Sequence, residues 1–168
     1  MALLVLSVAG SDRPGLTKAL AAAVLSAGGN WLESHLSRLG GLYVGSVLVE
    51  LAEGKVDALR AAVAAVDAAG LEVRIAPAGE IAVAGETLQF SLVGQDRPGI
   101  VNQVTAAVSG LGANIETFET WLSAEAHSGG QLFHMAAHLR LPEGLKAAAV
   151  QDALEAISGE IMVDVAVG

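Results

Sequence analysis

The chain has no cysteine, few aromatic residues and few basic ones, and each shortage excludes a class of function. Without cysteine there is no disulfide, thiol nucleophile or cysteine-based zinc site. Three Lys and six Arg face 18 acidic residues, a net charge of −9, and no local stretch forms a basic stripe. Direct nucleic-acid binding is therefore not expected, because phosphate neutralisation needs clustered cations. Charged residues interrupt every apolar stretch well before the 18 or so residues a membrane helix needs. The opening Met-Ala-Leu-Leu-Val-Leu lacks the basic region of a signal peptide, so a cytoplasmic protein is the expectation. Aromatics at 4% leave no aromatic pairs for stacking RNA bases on a sheet. No Gly-x-Ser-x-Gly, P-loop or Gly-x-Gly-x-x-Gly occurs, so no catalytic set and no cofactor is expected.

What is present is apolar and repetitive. Of 168 residues, 53% are hydrophobic, with 32 Ala and 20 Gly, enough for a real core and too apolar for disorder. Ser7–Leu36 aligns without gaps on Ser91–Thr120, with 11 of 30 positions identical. The shared block is Asp12-Arg13-Pro14-Gly15 over Asp96-Arg97-Pro98-Gly99, followed by Gly28/Gly112 and Asn30/Asn114. Alanine bias does not produce four consecutive matches in register with a downstream Gly-x-Asn, so the chain holds two copies of one domain.

Each copy reads in the same order. A strand (3–9, then 87–93) is expected to break at Gly10 or Gly94, and a helix to begin with Pro14 or Pro98 at its first position. The helical apolar faces are Leu16, Leu20, Ala23, Val24 and Ile100, Val104, Ala107, Val108, Leu111. Two strands follow, joined through Gly40-Gly41 and through 128–130, then helices at 56–68 and 145–157, then strands at 72–76 and 161–167. The fold class is α+β: two ferredoxin-like βαββαβ units, each a four-stranded antiparallel sheet with two helices on one face. Domain 1 spans 1–78, a linker 79–86, in which Ile81 and Val83 form an extra extended segment, and domain 2 spans 87–168. The strand 41–51 is apolar on both sides, with Leu42, Val44 and Leu48 on the second, so it is expected in a domain or subunit interface.

The candidate ligand-binding residues are Asp12, Arg13, Pro14, Gly15 and Asn30 in copy one, and Asp96, Arg97, Pro98, Gly99 and Asn114 in copy two. A strand end, a tight turn and a helix N-terminus present backbone N–H groups and a positive dipole end. A carboxylate or phosphate docks there, the Asp suits an ammonium, and the Arg suits an anion or stands on the surface. The same residues also build a good turn with no ligand at all, and Asn30 and Asn114 also suit a capped bend. His134 and His138 have the spacing of a metal pair, but on a strand they stand about 13 Å apart and hold no common ion. Trp31 and Trp121 are read as packing residues.

Gly-x-Asp-Arg-Pro-Gly-[Leu/Ile] at a strand–helix turn, with Gly-x-Asn downstream, resembles the ACT domain. Two such domains without an attached enzyme resemble the glycine cleavage system transcriptional repressor group, and the likeness covers nearly the whole chain. Copy two is also similar to the ACT segment preceding formyltetrahydrofolate deformylase, but no hydrolase domain follows. The resemblance implies a non-catalytic regulator that binds a small ligand, usually an amino acid, where ACT units pair. It implies a homodimer acting on a DNA-binding regulator protein rather than on DNA. In serine-sensing ACT domains the turn carries a His and an Asn where this sequence has Gly10 and Asp12, or Gly94 and Asp96, so no specific amino acid is implied. The alternative is a pure protein-interaction module with no ligand.

Overall fold

The computed structural model describes residues 1–80, 85–127 and 129–168. The chain forms two compact units, Met1–Ile81 and Ala82–Gly168. The first runs β1 (Ala2–Ser11), α1 (Leu16–Ser26), β2 (Asn30–Leu39), β3 (Leu42–Leu51), α2 (Val56–Ala68), β4 (Leu71–Pro77). The second runs β5 (Thr87–Gln95), α3 (Ile100–Gly110), β6 (Asn114–Ala124), β7 (Gln131–Arg140), α4 (Ala147–Glu155), β8 (Met162–Val167). Their sheets have the orders β2-β3-β1-β4 and β6-β7-β5-β8, with every neighbouring pair antiparallel. This is the expected βαββαβ unit twice. The expected segment around Ile81 and Val83 lies outside the described residues.

Period-two burial fixes which sheet face meets the helices. In β1, Leu4, Leu6 and Val8 are buried, in one cluster with Leu16, Leu20, Val24, Leu59 and Val63. In β5, Leu88, Phe90 and Leu92 do the same with Ile100, Val104, Val108, Val150 and Leu154. The other face of each sheet bears no helix of its own unit. On it Leu42 is half exposed, and Val44 and Leu48 are partly buried.

Both first helices end in the same motif. Gly28 and Gly112 take φ of 76°, and the next residue's N–H returns to Val24 or Val108, as a Schellman end requires. Gly40 and Gly41, with φ of 58° and 82°, form the two-residue hairpin turn between β2 and β3. Between β6 and β7, Glu125 N–H donates to Gly130 O at 2.9 Å. Helix α4 starts at Ala147 rather than 145, because Gly144 turns at φ 83° and Lys146 is still extended. Gly10 and Gly94 do not break their strands. Each is paired on both sides or at a strand end, Gly10 with Tyr43 and Leu71, Gly94 with Phe133. Among the described residues no helix is long and apolar enough to cross a membrane.

Candidate ligand site at the two strand–helix turns

The proline of each turn stands outside its helix, a correction to the expected first helical position. Helix α1 begins at Leu16 and α3 at Ile100, each preceded by a left-handed glycine, Gly15 at φ 92°, ψ −5° and Gly99 at φ 87°, ψ −1°. Those angles are those of the third residue of a type II turn, whose second residue favours Pro. In copy two Ile100 N–H closes the turn onto Arg97 O at 3.4 Å. The left-handed residue interrupts right-handed helix geometry, so Pro14 and Pro98 shape the entry and do not extend the helix. Space does not require these glycines, since a Cβ on either meets nothing within 4 Å; the dihedrals do.

Neither helix has a side-chain cap, so each turn presents first-turn N–H groups such as those of Thr17 and Lys18, or Val101 and Asn102. Around this shared backbone the side chains differ between copies. Asp12 pairs with Arg38 Nε at 3.4 Å, a partner near the end of β2 that no local motif marks. Arg13 donates to the carbonyl of Ala69, the residue that ends α2. A cation at a helix C-terminus satisfies an orphan carbonyl and complements the dipole. In copy two, among the described residues, the side chains of Asp96 and Arg97 have no hydrogen-bond or ion-pair partner. Beside this second turn lies a cleft of about 470 Å³ lined by Val93, Gly94, Gln95, Glu125, Leu132, Glu160 and Met162. Val93, Gly94 and Gln95 of these end β5 and run into the motif; Leu132 arrives from β7, Met162 from β8, and Glu125 and Glu160 from beside β6 and β8, with no local signal.

Arg13→Ala should therefore cost about 1 kcal/mol of stability in denaturant unfolding, whereas Arg97→Ala should change it by less than about 0.5 kcal/mol. Equal costs would show that the Arg13–Ala69 contact contributes nothing.

The register separates the two halves of the expected site within one unit. Asn30 opens β2 opposite Glu50, which faces Leu3, while the turn follows Ser11, which faces Leu42. Glu50 is eight steps along β3 from Leu42, roughly 27 Å. Asn114 lies opposite Arg140, which faces Thr87, and so is likewise placed away from Gln95 and the second turn. A single unit does not bring either Asn to its own turn. His134 and His138 lie on the helix-free face as expected; His134 meets Ser123 Oγ at 2.7 Å and stacks on Trp121 with centroids 5.2 Å apart. No group of metal-ligating side chains occurs among the described residues.

Among solved structures, an unknown protein from Galdieria sulphuraria is 27% identical, with TM-score 0.86 over 99% of this chain and 98% of that one. A proposed glycine cleavage system transcriptional repressor is 18% identical, with TM-score 0.70 over 99% and 97%. That second likeness shows a common tandem fold. No curated protein matches the chain. The ACT domain family matches residues 2–75 and again 86–167, the two units described above. The chain belongs to the ACT domain family and carries two of its domains in tandem.

Proposed function

We infer that the chain is a non-catalytic regulatory protein that binds a free amino acid at its strand–helix turns and acts through protein contacts. The observation that carries this reading is the second turn, where an uncapped helix N-terminus, Arg97 and Asp96 stand together and, among the described residues, neither side chain has a partner. The N–H groups and Arg97 suit a carboxylate, Asp96 suits an ammonium, and the adjoining cleft gives room for a side chain. In the first turn Asp12 and Arg13 are engaged internally, which favours a structural role there. The tandem fold shared with a proposed glycine cleavage repressor supports transcriptional control of amino-acid metabolism as the setting, with a cytoplasmic homodimer acting on a DNA-binding regulator protein.

A thermal-shift screen of the twenty amino acids tests the reading. A ligand at 100 times its Kd stabilises by roughly 2.7 kcal/mol, which for this size raises Tm by roughly 5–10 °C. The shift should vanish in Asp96→Ala and persist in Asp12→Ala. If no amino acid shifts Tm at millimolar concentration, the chain is an interaction module without a ligand. A shift surviving both substitutions moves the site elsewhere.

A further inference from the structure

The duplicated sheets differ most in charge on the face that carries no helix. In the first unit the central cross-strand row reads His35, Ser46, Ser7, Arg74. In the second the equivalent row, aligned through Ser91, reads Glu119, Ala136, Ser91, Asp164. The ends of the first row already have partners: His35 is hydrogen-bonded to Glu33 at 3.0 Å and Arg74 pairs with Glu72 at 3.4 Å. Among the described residues, Glu119 and Asp164 have no ion-pair partner, and Arg140, four residues along β7 from Ala136, is held by Glu116 at 2.7 Å. The asymmetry extends to the units as wholes. Met1–Ile81 carries six basic and eight acidic side chains, net −2, and Ala82–Gly168 three and ten, net −7.

Shape accompanies this charge. Small residues at Ser91, Ala136 and Ala166 leave a depression of about 240 Å³, walled by Gln89, His138 and Asp164. Two residues along β6 from Glu119, on the same face, Trp121 is 49% exposed and lies flat on His134. An aromatic plane beside a carboxylate on the same edge strand suits an arginine or lysine side chain, by stacking and by ion pairing.

We propose that the helix-free sheet face of the second unit is the docking surface for a cationic protein segment, with Glu119 and Asp164 receiving its basic side chains and Trp121 stacking on one of them. This deepens the reading of the chain as a regulator acting through protein contacts, and rests on it. The two carboxylates sit at opposite edges of a four-stranded sheet, about 14 Å apart, too far for one small cation to bridge. Nucleic acid and anionic membrane are repelled by the same charge. The helix-free faces of a second copy offer a row whose arginine is already paired or a like-charged row.

The test titrates the full chain with a fluorescein-labelled hexa-arginine peptide at low ionic strength, read by anisotropy. Glu119→Gln/Asp164→Asn should weaken binding at least tenfold, and Trp121→Ala about fivefold. Asp152→Asn/Glu155→Gln on α4 removes the same charge elsewhere and should change it less than twofold. Equal losses in the two double variants would reduce the effect to bulk charge and overturn the proposal, as would absence of binding. Sedimentation velocity supplies another arm: a dimer that dissociates on Glu119→Gln/Asp164→Asn would assign the face to a second copy and overturn it too. The amino-acid thermal shift should persist in this variant, so failure at the face and failure at the turn are read separately.

Discussion

Leu20→Ala should remove about 4 kcal/mol from the stability of the first unit, as measured by urea unfolding. Leu20 is fully buried in the middle of α1, in the cluster that joins β1, β3, α1 and α2. Truncation loses the transfer free energy of the removed atoms and leaves a cavity that the surrounding elements fill only in part. A domain of this size has a total of about 5–15 kcal/mol to lose. Leu25→Ala on the same helix is the control: Leu25 is 75% exposed, and its loss should cost less than about 0.5 kcal/mol. A cost at Leu20 below about 2 kcal/mol would mean that the helix is not locked onto the sheet at this point.

That burial pattern was legible in the sequence because it is periodic. Leu16, Leu20, Ala23 and Val24 in α1 are the residues the helical repeat selects and the residues the fold buries; in α3 Ile100, Val104 and Val108 are buried, while Ala107 and, at its end, Leu111 are partly buried. The duplication supplied the topology twice, so one reading checked the other. Junctions were less legible. Pro14 reads as a helix opener until the φ of Gly15 is known, and the left-handed glycine that excludes it follows from turn geometry, not from residue type alone. The site was legible as a motif and illegible as an arrangement. Asp12 meets Arg38 and Arg13 meets Ala69 across 26 and 56 residues, contacts that only the folded register defines. Asn30 and Asn114 follow their turns closely in sequence, yet a helix running the length of the sheet carries each to the far end.

The two equivalent glycines before the turns should respond very differently to a single methyl group. A Cβ on Gly10 would run into the carbonyl oxygen of Gly70 and come within 2.8 Å of the Cα of Leu71. Both are backbone atoms at the start of β4 and cannot turn aside. A Cβ on Gly94 would meet Cγ1 of Ile161 at 3.2 Å and nothing nearer, and a side-chain tip has room to rotate. Gly10→Ala should therefore cost about 3 kcal/mol, against less than about 1 kcal/mol for Gly94→Ala, each measured by chemical unfolding. The backbone that Gly10→Ala displaces adjoins the Ala69 carbonyl that receives Arg13, so the two positions share one corner. In a double-mutant cycle Arg13→Ala should add less on the Gly10→Ala background than alone, because the displaced corner has already lost that hydrogen bond. Equal costs at Gly10 and Gly94 would show that the β4 entry yields as easily as a side chain. Strict additivity in the cycle would instead separate the corner from the arginine, leaving Arg13 free to serve the first turn as Arg97 is proposed to serve the second.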